Sequence, residues 1–120
     1  MPVAAKPHIV AGMPMYNEEE TIGSVVTRAL RYVDEVICID DGSSDASARI
    51  AEACGATVIR HRVNRGYGGA LKTLFLRASE LEVDALVLLD SDGQHETSDI
   101  PKLLKPILDG KADFAIGSRF

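Results

Sequence analysis

Ala85-Leu86-Val87-Leu88-Leu89 runs straight into Asp90-Ser91-Asp92-Gly93-Gln94, an apolar stretch that stops abruptly at two carboxylates and an amide. An apolar run of this length, closed by turn-forming residues, reads as a strand buried on both faces, the mark of a parallel sheet. The acidic cluster then leaves the carboxyl end of that strand, where open α/β sheets hold their ligands.

Working outward from this strand, apolar runs and helical stripes alternate along the whole chain. A first strand is expected at His8 to Met13, followed by a helix from Glu18 to Tyr32. Ile22, Val25, Val26, Ala29, Leu30 and Val33 recur in that helix at the spacing of one buried face. A second strand, Glu35 to Ile39, leads into Asp40-Asp41-Gly42-Ser43-Ser44-Asp45, whose small polar residues suit a turn and the cap of a helix through Cys54. Gly55 is the expected stop. Ala56 to His61 reads as a third strand and Asn64 to Gly69 as a loop. The next helix carries Leu71, Leu74, Phe75, Ala78 and Leu81 on its inner face. Beyond the fourth strand, Pro101 marks a helix start, Leu103, Leu104, Ile107 and Leu108 form its stripe, and Ala112 to Ile116 reads as a fifth strand.

Such alternation calls for a Rossmann-like three-layer α/β fold, because each right-handed crossover lays its helix against the strands it joins. The expected strand order is 3-2-1-4 with the fifth beyond. In that order the sheet changes its direction of growth between strands one and four. Pro14-Met15-Tyr16-Asn17-Glu18 and Asp90 to Gln94 therefore face one crevice, flanked by Asp40 and Asp41.

Two carboxylates about 4 Å apart repel by roughly 4 kcal/mol at an effective dielectric near 20. An anionic ligand worsens the conflict, and a divalent cation such as magnesium or manganese resolves it by bridging carboxylates to phosphates. Asp90, Asp92 and Gln94 share a side if the chain stays extended, as alternate residues do. The plainer reading is that the two aspartates turn the chain and cap a helix. Three strand ends with polar motifs directed at one crevice favour the site.

The sequence resembles the inverting family 2 glycosyltransferases of the nucleotide-diphospho-sugar transferase (GT-A) fold, especially the dolichyl-phosphate mannose or glucose synthase branch. The matching segments are Pro14 to Glu19, Asp40 to Asp45, Asn64-Arg65-Gly66, Asp90 to His95 and Gly117-Ser118-Arg119. The resemblance implies that Pro14, Tyr16, Asn17 and Glu18 contact the base and ribose of a nucleoside-diphosphate sugar, and that an aspartate of the pair Asp40 and Asp41 accepts from the base. It further implies that Asp90, Ser91 and Asp92 line the donor diphosphate, that Asp90, Asp92 and Gln94 hold Mg2+ or Mn2+, and that Arg119 grips the donor. Asp90, Asp92 and Arg119 are thus the expected catalytic residues. Tyr16 offers an apolar face with a polar tip, and an arginine can hold two oxygens at once.

The reaction implied is transfer of a hexose with inversion to a polyprenyl phosphate or another acceptor. Residues 1–120 read as a single domain, the nucleotide-sugar-binding part of a catalytic domain that is incomplete at its carboxyl end. Donor binding without efficient transfer is the expectation, and apolar surface left uncovered makes self-association another.

Two other classes match the strand ends less well. A receiver-like signalling module would carry an acidic pair after strand one and an aspartate after strand three, where this chain has Pro14 to Glu18 and His61-Arg62-Val63. A sugar nucleotidyltransferase would carry a glycine-rich basic loop after strand one. Arg65-Gly66-Tyr67-Gly68-Gly69 lacks the spacing and the Lys-Ser/Thr ending of a phosphate loop.

Composition sets outer bounds. A 120-residue chain with 46% hydrophobic and 26% charged residues builds one ordinary core. Its formal charge of −5 argues against nucleic acid as a partner. No run of the sequence has the roughly 18 apolar residues of a membrane span, so a cytoplasmic location is expected, at the cytosolic face of a membrane where the acceptor is a lipid phosphate. Cys38 and Cys54 lack the spacing of a metal or redox site and read as buried thiols.

Overall fold

The computed structural model describes residues 8–89 together with the backbone of Ala115 and Ile116. Its elements are β1 (Ile9–Met15), α1 (Ile22–Ala29), β2 (Glu35–Asp40), α2 (Ser47–Ala53), β3 (Thr57–Arg60), α3 (Gly66–Glu80), β4 (Ala85–Leu88) and β5 (Ala115–Ile116). All pairings are parallel, and the strand order is β3-β2-β1-β4-β5. This is the expected order, and it follows from the crossovers. The sheet first grows from β1 through β2 to β3, then α3 carries the chain back across to the far side of β1, so that α3 must cover the opposite face from α1 and α2.

Two cores result. On one face Ala11, Met13, Val36, Cys38 and Val87 pack with Ile22, Val25, Val26 and Ala29 of α1 and with Ala48 and Ala51 of α2. On the other, Val10, Ile37, Ile39, Leu86 and Leu88 pack with Ala70, Leu74 and Ala78 of α3. Alternate residues of each central strand supply opposite cores, which explains the near-continuous apolar runs. Gly55 ends the α2 segment at a φ of 108°, a backbone conformation that favours glycine.

Several boundaries differ from the sequence expectation. The first helix is confined to Ile22–Ala29 rather than Glu18 to Tyr32. Asn17 adopts a φ of 52°, so the chain is still turning there. At the other end, Arg31 and Tyr32 donate to the carbonyls three residues back, tightening the last turn out of α geometry. β1 runs to Met15, through Pro14, although proline disfavours central strands. Among the described residues β4 pairs with β1 only as far as Gly12, and Pro14 is paired with β2.

On α3 the buried positions are Ala70, Leu74 and Ala78, while Phe75, expected inside, is 41% exposed. Leu71 and Leu81 are only partly buried against that core. The helix rides close to the sheet on its small residues, and Gly12 is what admits it. A Cβ on Gly12 would stand 2.6 Å from both terminal methyl carbons of Leu74 and 3.0 Å from its Cγ. Gly12→Ala should therefore cost about 1–3 kcal/mol by overpacking, and Leu74→Ala about 2–5 kcal/mol by leaving a void. Urea denaturation of the two single variants and the double variant checks the contact. The double variant should lose less than the sum of the singles, and strict additivity would refute the close approach.

Cys38 and Cys54 are both free. Burial, with the charge of Asp40 adding to it, pushes the Cys38 thiol up to about 12, so it stays protonated. Cys54, expected to be buried, is half-buried at the end of α2.

Candidate functional site

The carboxyl ends of β1 and β2 lie side by side, with Pro14 opposite Ile39 and Met15 opposite Asp40. The loops that leave them are stitched together. Asn17 N–H donates to Ser43 Oγ at 2.9 Å, and Ser44 N–H returns a bond to Asn17 Oδ1 at 2.9 Å. Glu18 N–H donates to Ser47 Oγ at 2.7 Å. Glu19 N–H reaches Asp45 Oδ2 at 3.2 Å, and Glu19 Oε2 accepts from Ala46 N–H at 3.0 Å. Each loop thus satisfies the backbone of the other, which holds two otherwise irregular segments in one arrangement. Asn17 is suited to this place twice over, since asparagine tolerates its left-handed backbone and its amide oxygen provides the acceptor.

This clamp leaves Tyr16 half exposed beside half-buried Pro14 and Glu18. An aromatic ring is thereby offered at the lip of the β1 end. Asn17, read from sequence as a ligand contact, is engaged in loop-to-loop bonding.

Asp40, which ends β2, and Asp41, which follows it, are held differently. Asp40 is fully buried; its Oδ1 accepts from Ser43 N–H at 3.1 Å. Arg60 Nε stands 3.0 Å from Asp40 Oδ2, an ion pair whose alignment falls outside hydrogen-bond geometry. Asp41 Oδ1 accepts from Arg65 N–H and from His61 Nδ1, each at 2.8 Å, and Asp41 Oδ2 accepts from Gly66 N–H at 2.9 Å. Burial is the largest single influence on the Asp41 carboxyl and opposes its charge. The bonds from Arg65, His61 and Gly66, with the charge of His61, together outweigh it and hold the pKa below the ordinary carboxylate value. Asp41 is therefore an ionised acceptor that also caps the start of α3. That cap explains why α3 begins at Gly66, inside the stretch that composition marks as loop.

His61 continues the chain of bonds, with Nε2 2.8 Å from Thr73 Oγ1, which itself reaches Gly69 O at 3.2 Å. Neither His61 nor Thr73 stood out in the sequence as part of a site. Their partners lie 20 and 12 residues away in the chain, so no local spacing announces them.

At the β4 side, Leu89 N–H donates to Gly12 O at 3.0 Å, bringing the end of β4 alongside β1 at the point where the sheet changes direction. The structure thus brings Pro14, Tyr16, Asn17, Glu18, Asp40 and Asp41 to one end of the sheet. Asp90, Ser91, Asp92, Gln94 and Arg119 lie outside the described residues, as do the stripe of Leu103, Leu104, Ile107 and Leu108 and the start of the expected fifth strand. Among the described residues no three His, Cys, Asp or Glu side chains converge as a metal site, and no helix is long and apolar enough to cross a membrane.

A parallel 3-2-1-4 sheet with polar loops at its switch point is shared by many nucleotide-binding proteins, and comparison with known proteins separates them. The family model described as Glycosyl transferase family 2 matches residues 11–120. The chain belongs to this family. Within it, the chain is 34% identical over 125 residues to the UDP-N-acetylglucosamine–dolichyl-phosphate N-acetylglucosaminyltransferase of Methanococcus voltae, covering 89% of this chain and 50% of that protein. It is 35% identical over 114 residues to the undecaprenyl-phosphate mannosyltransferase of Micrococcus luteus, covering 89% of this chain and 46% of the relative. The chain thus spans about half the length of these relatives.

Among solved structures, the glucosyl-3-phosphoglycerate synthase of Mycobacterium tuberculosis in complex with UDP superposes with a TM-score of 0.72 at 31% identity, covering 88% of this chain and 41% of that one. The same synthase is also known with Mn2+ and UDP and with Mg2+ and UDP. The family 2 assignment accords with the parallel strand order.

Proposed function

We propose that this chain is the nucleotide-sugar-binding part of a family 2 glycosyltransferase that transfers a hexose from a nucleoside-diphosphate sugar to a polyprenyl phosphate. The observation that carries this reading is the clamp between the β1 and β2 loops. It holds the loop of Tyr16 and Glu18 against the loop that follows the ionised Asp41, at one end of the sheet. Tyr16 supplies a face for a base, and a fixed carboxylate accepts from a base N–H. Polyprenyl-phosphate acceptors are supported by the names of the archaeal and bacterial relatives, and UDP as nucleotide by the complexes of the solved synthase.

Asp90, Asp92 and Gln94 would hold a magnesium or manganese ion, for their oxygen donors match the preference of these hard cations. When bound, such an ion offsets the negative charge of the diphosphate and eases its departure as a Lewis acid. Arg119 would grip the donor by its planar fork. A lipid phosphate is already ionised near neutral pH, so its oxygen attacks without a strong protein base, at the cytosolic face of a membrane.

Calorimetric and thermal-shift titration of the chain with UDP, with and without manganese, tests this reading. Uptake should be saturable and assisted by the cation. At a ligand concentration near 100 Kd the native state should gain about 2.7 kcal/mol. No binding of UDP, or of GDP as an alternative base, in either condition overturns it.

A further inference from the structure

We propose that His61 is a positioning residue that sets the acceptor used for the nucleoside, a role resting on the donor-binding reading above. An ionised carboxylate has about four acceptor directions. On Asp41 three are taken: Oδ1 by His61 and by Arg65 N–H, and Oδ2 by Gly66 N–H. One direction on Oδ2 remains, and 7% of the Asp41 side chain stays exposed, whereas that of Asp40 is wholly covered. Asp41 is thus the aspartate of the pair able to receive a base N–H, and its orientation fixes where that N–H must come.

His61 controls this orientation from behind. Its side chain is 4% exposed and is gripped at both ring nitrogens, by Asp41 at Nδ1 and by Thr73 at Nε2. Because Asp41 is an anion, Nδ1 carries the proton of the 2.8 Å contact. The Thr73 hydroxyl serves either state of the other nitrogen. It donates to a bare Nε2, or accepts from a protonated one while donating to Gly69 O at 3.2 Å. The donor to Asp41 therefore persists whichever state the imidazole adopts. The backbone N–H groups of Arg65 and Gly66 belong to the loop and the first turn of α3, so the two arms of the carboxylate are referenced to different elements. His61 ties that carboxylate to the body of α3 through Thr73. Loss of the Nδ1 donor leaves the carboxylate held by the Arg65 and Gly66 N–H groups alone and lets it tilt about them, which misaligns the direction left for the ligand.

The two amide replacements of histidine separate this role from simple packing. In His61→Asn the amide nitrogen falls near Nδ1 and keeps the donor to Asp41 while abandoning Thr73. In His61→Gln the amide reaches the Nε2 position, keeping Thr73 and abandoning Asp41. Both remove the ring and should lower Tm. UDP affinity in the presence of manganese should fall about tenfold in His61→Gln and stay within about threefold of wild type in His61→Asn, the scale expected when a supporting hydrogen bond is lost. Calorimetry with UDP on both variants, alongside their thermal transitions, provides the readout. Equal affinities in the two variants, or affinities that follow Tm, refute the positioning role while leaving donor binding intact. Failure of the wild-type chain to bind UDP removes the donor-binding reading and this inference with it.

Discussion

Asp41→Ala should lower the stability of the chain by about 3 kcal/mol, because it strips the acceptor from three donors at once. Arg65 N–H, Gly66 N–H and His61 Nδ1 all end on this carboxylate, and His61 is too deeply buried to turn to water. A buried donor left unpaired costs roughly 1–3 kcal/mol, whereas the partly exposed backbone groups recover some of the loss from solvent. In a domain of this size the transition should move down by roughly 10 °C. Asp41→Asn keeps an oxygen for one or two of these donors and should lie between the two.

The sign of the pH dependence follows from the lowered pKa. The contribution of Asp41 is complete above the ordinary carboxylate value of about 3.9 and disappears as pH falls through the lower native value. The stability gap between wild type and Asp41→Asn should therefore be present at about pH 5 and narrow below about 4. Denaturant midpoints taken across that range check both statements. A gap that is absent at about pH 5, or that widens as pH falls below about 4, removes Asp41 as the cap of α3.

The sheet was readable in the sequence because its order depends on alternation and handedness, both of which leave periodic traces. The stripe from Ile22 to Val33 and the apolar runs of β2 and β4 put the right residues in the right cores. Periodicity failed where one contact between distant segments decides the outcome. Phe75 continues the apolar pattern of α3, yet the close approach of Leu74 to Gly12 turns the helix so that Ala70 and Ala78 face the sheet instead. The start of α3 is hidden for a related reason, as its cap comes from Asp41, 24 and 25 residues earlier in the chain.

The candidate site divides along the same line. Tyr16, Glu18 and the aspartate pair are short polar insertions at strand ends, where composition alone marks them. What each does there was less legible. Asn17, expected as a ligand contact, bonds Ser43 and Ser44 across the two loops, and Ser47, which no sequence motif singles out, secures the backbone of Glu18. His61 sits at a strand end among arginines and acquires meaning only through Asp41 and Thr73.

Asp92→Asn, and likewise Asp90→Asn, should weaken manganese-assisted UDP binding by about a hundredfold, the equivalent of about 2.7 kcal/mol. That is the scale of one charge contact at an effective dielectric near 20. Asparagine is the informative replacement because it serves turns and helix caps as well as aspartate does. If the two aspartates only shape the chain after β4, asparagine leaves both stability and UDP affinity unchanged. If they hold a cation, asparagine retains an oxygen of nearly the same shape and loses the charge on which the ion depends.

The metal-free titration should move in the opposite direction. Without a cation the native carboxylates repel the diphosphate, and removing one relieves that repulsion, so UDP affinity should be no weaker than wild type and should rise by about severalfold at low salt. A structural role predicts no such inversion, and neither does a general loss of folding, which depresses both titrations together. Calorimetry of each variant with UDP, in chelator and in manganese, separates the three outcomes. The cation assignment rests on affinity falling in one condition while it holds or improves in the other.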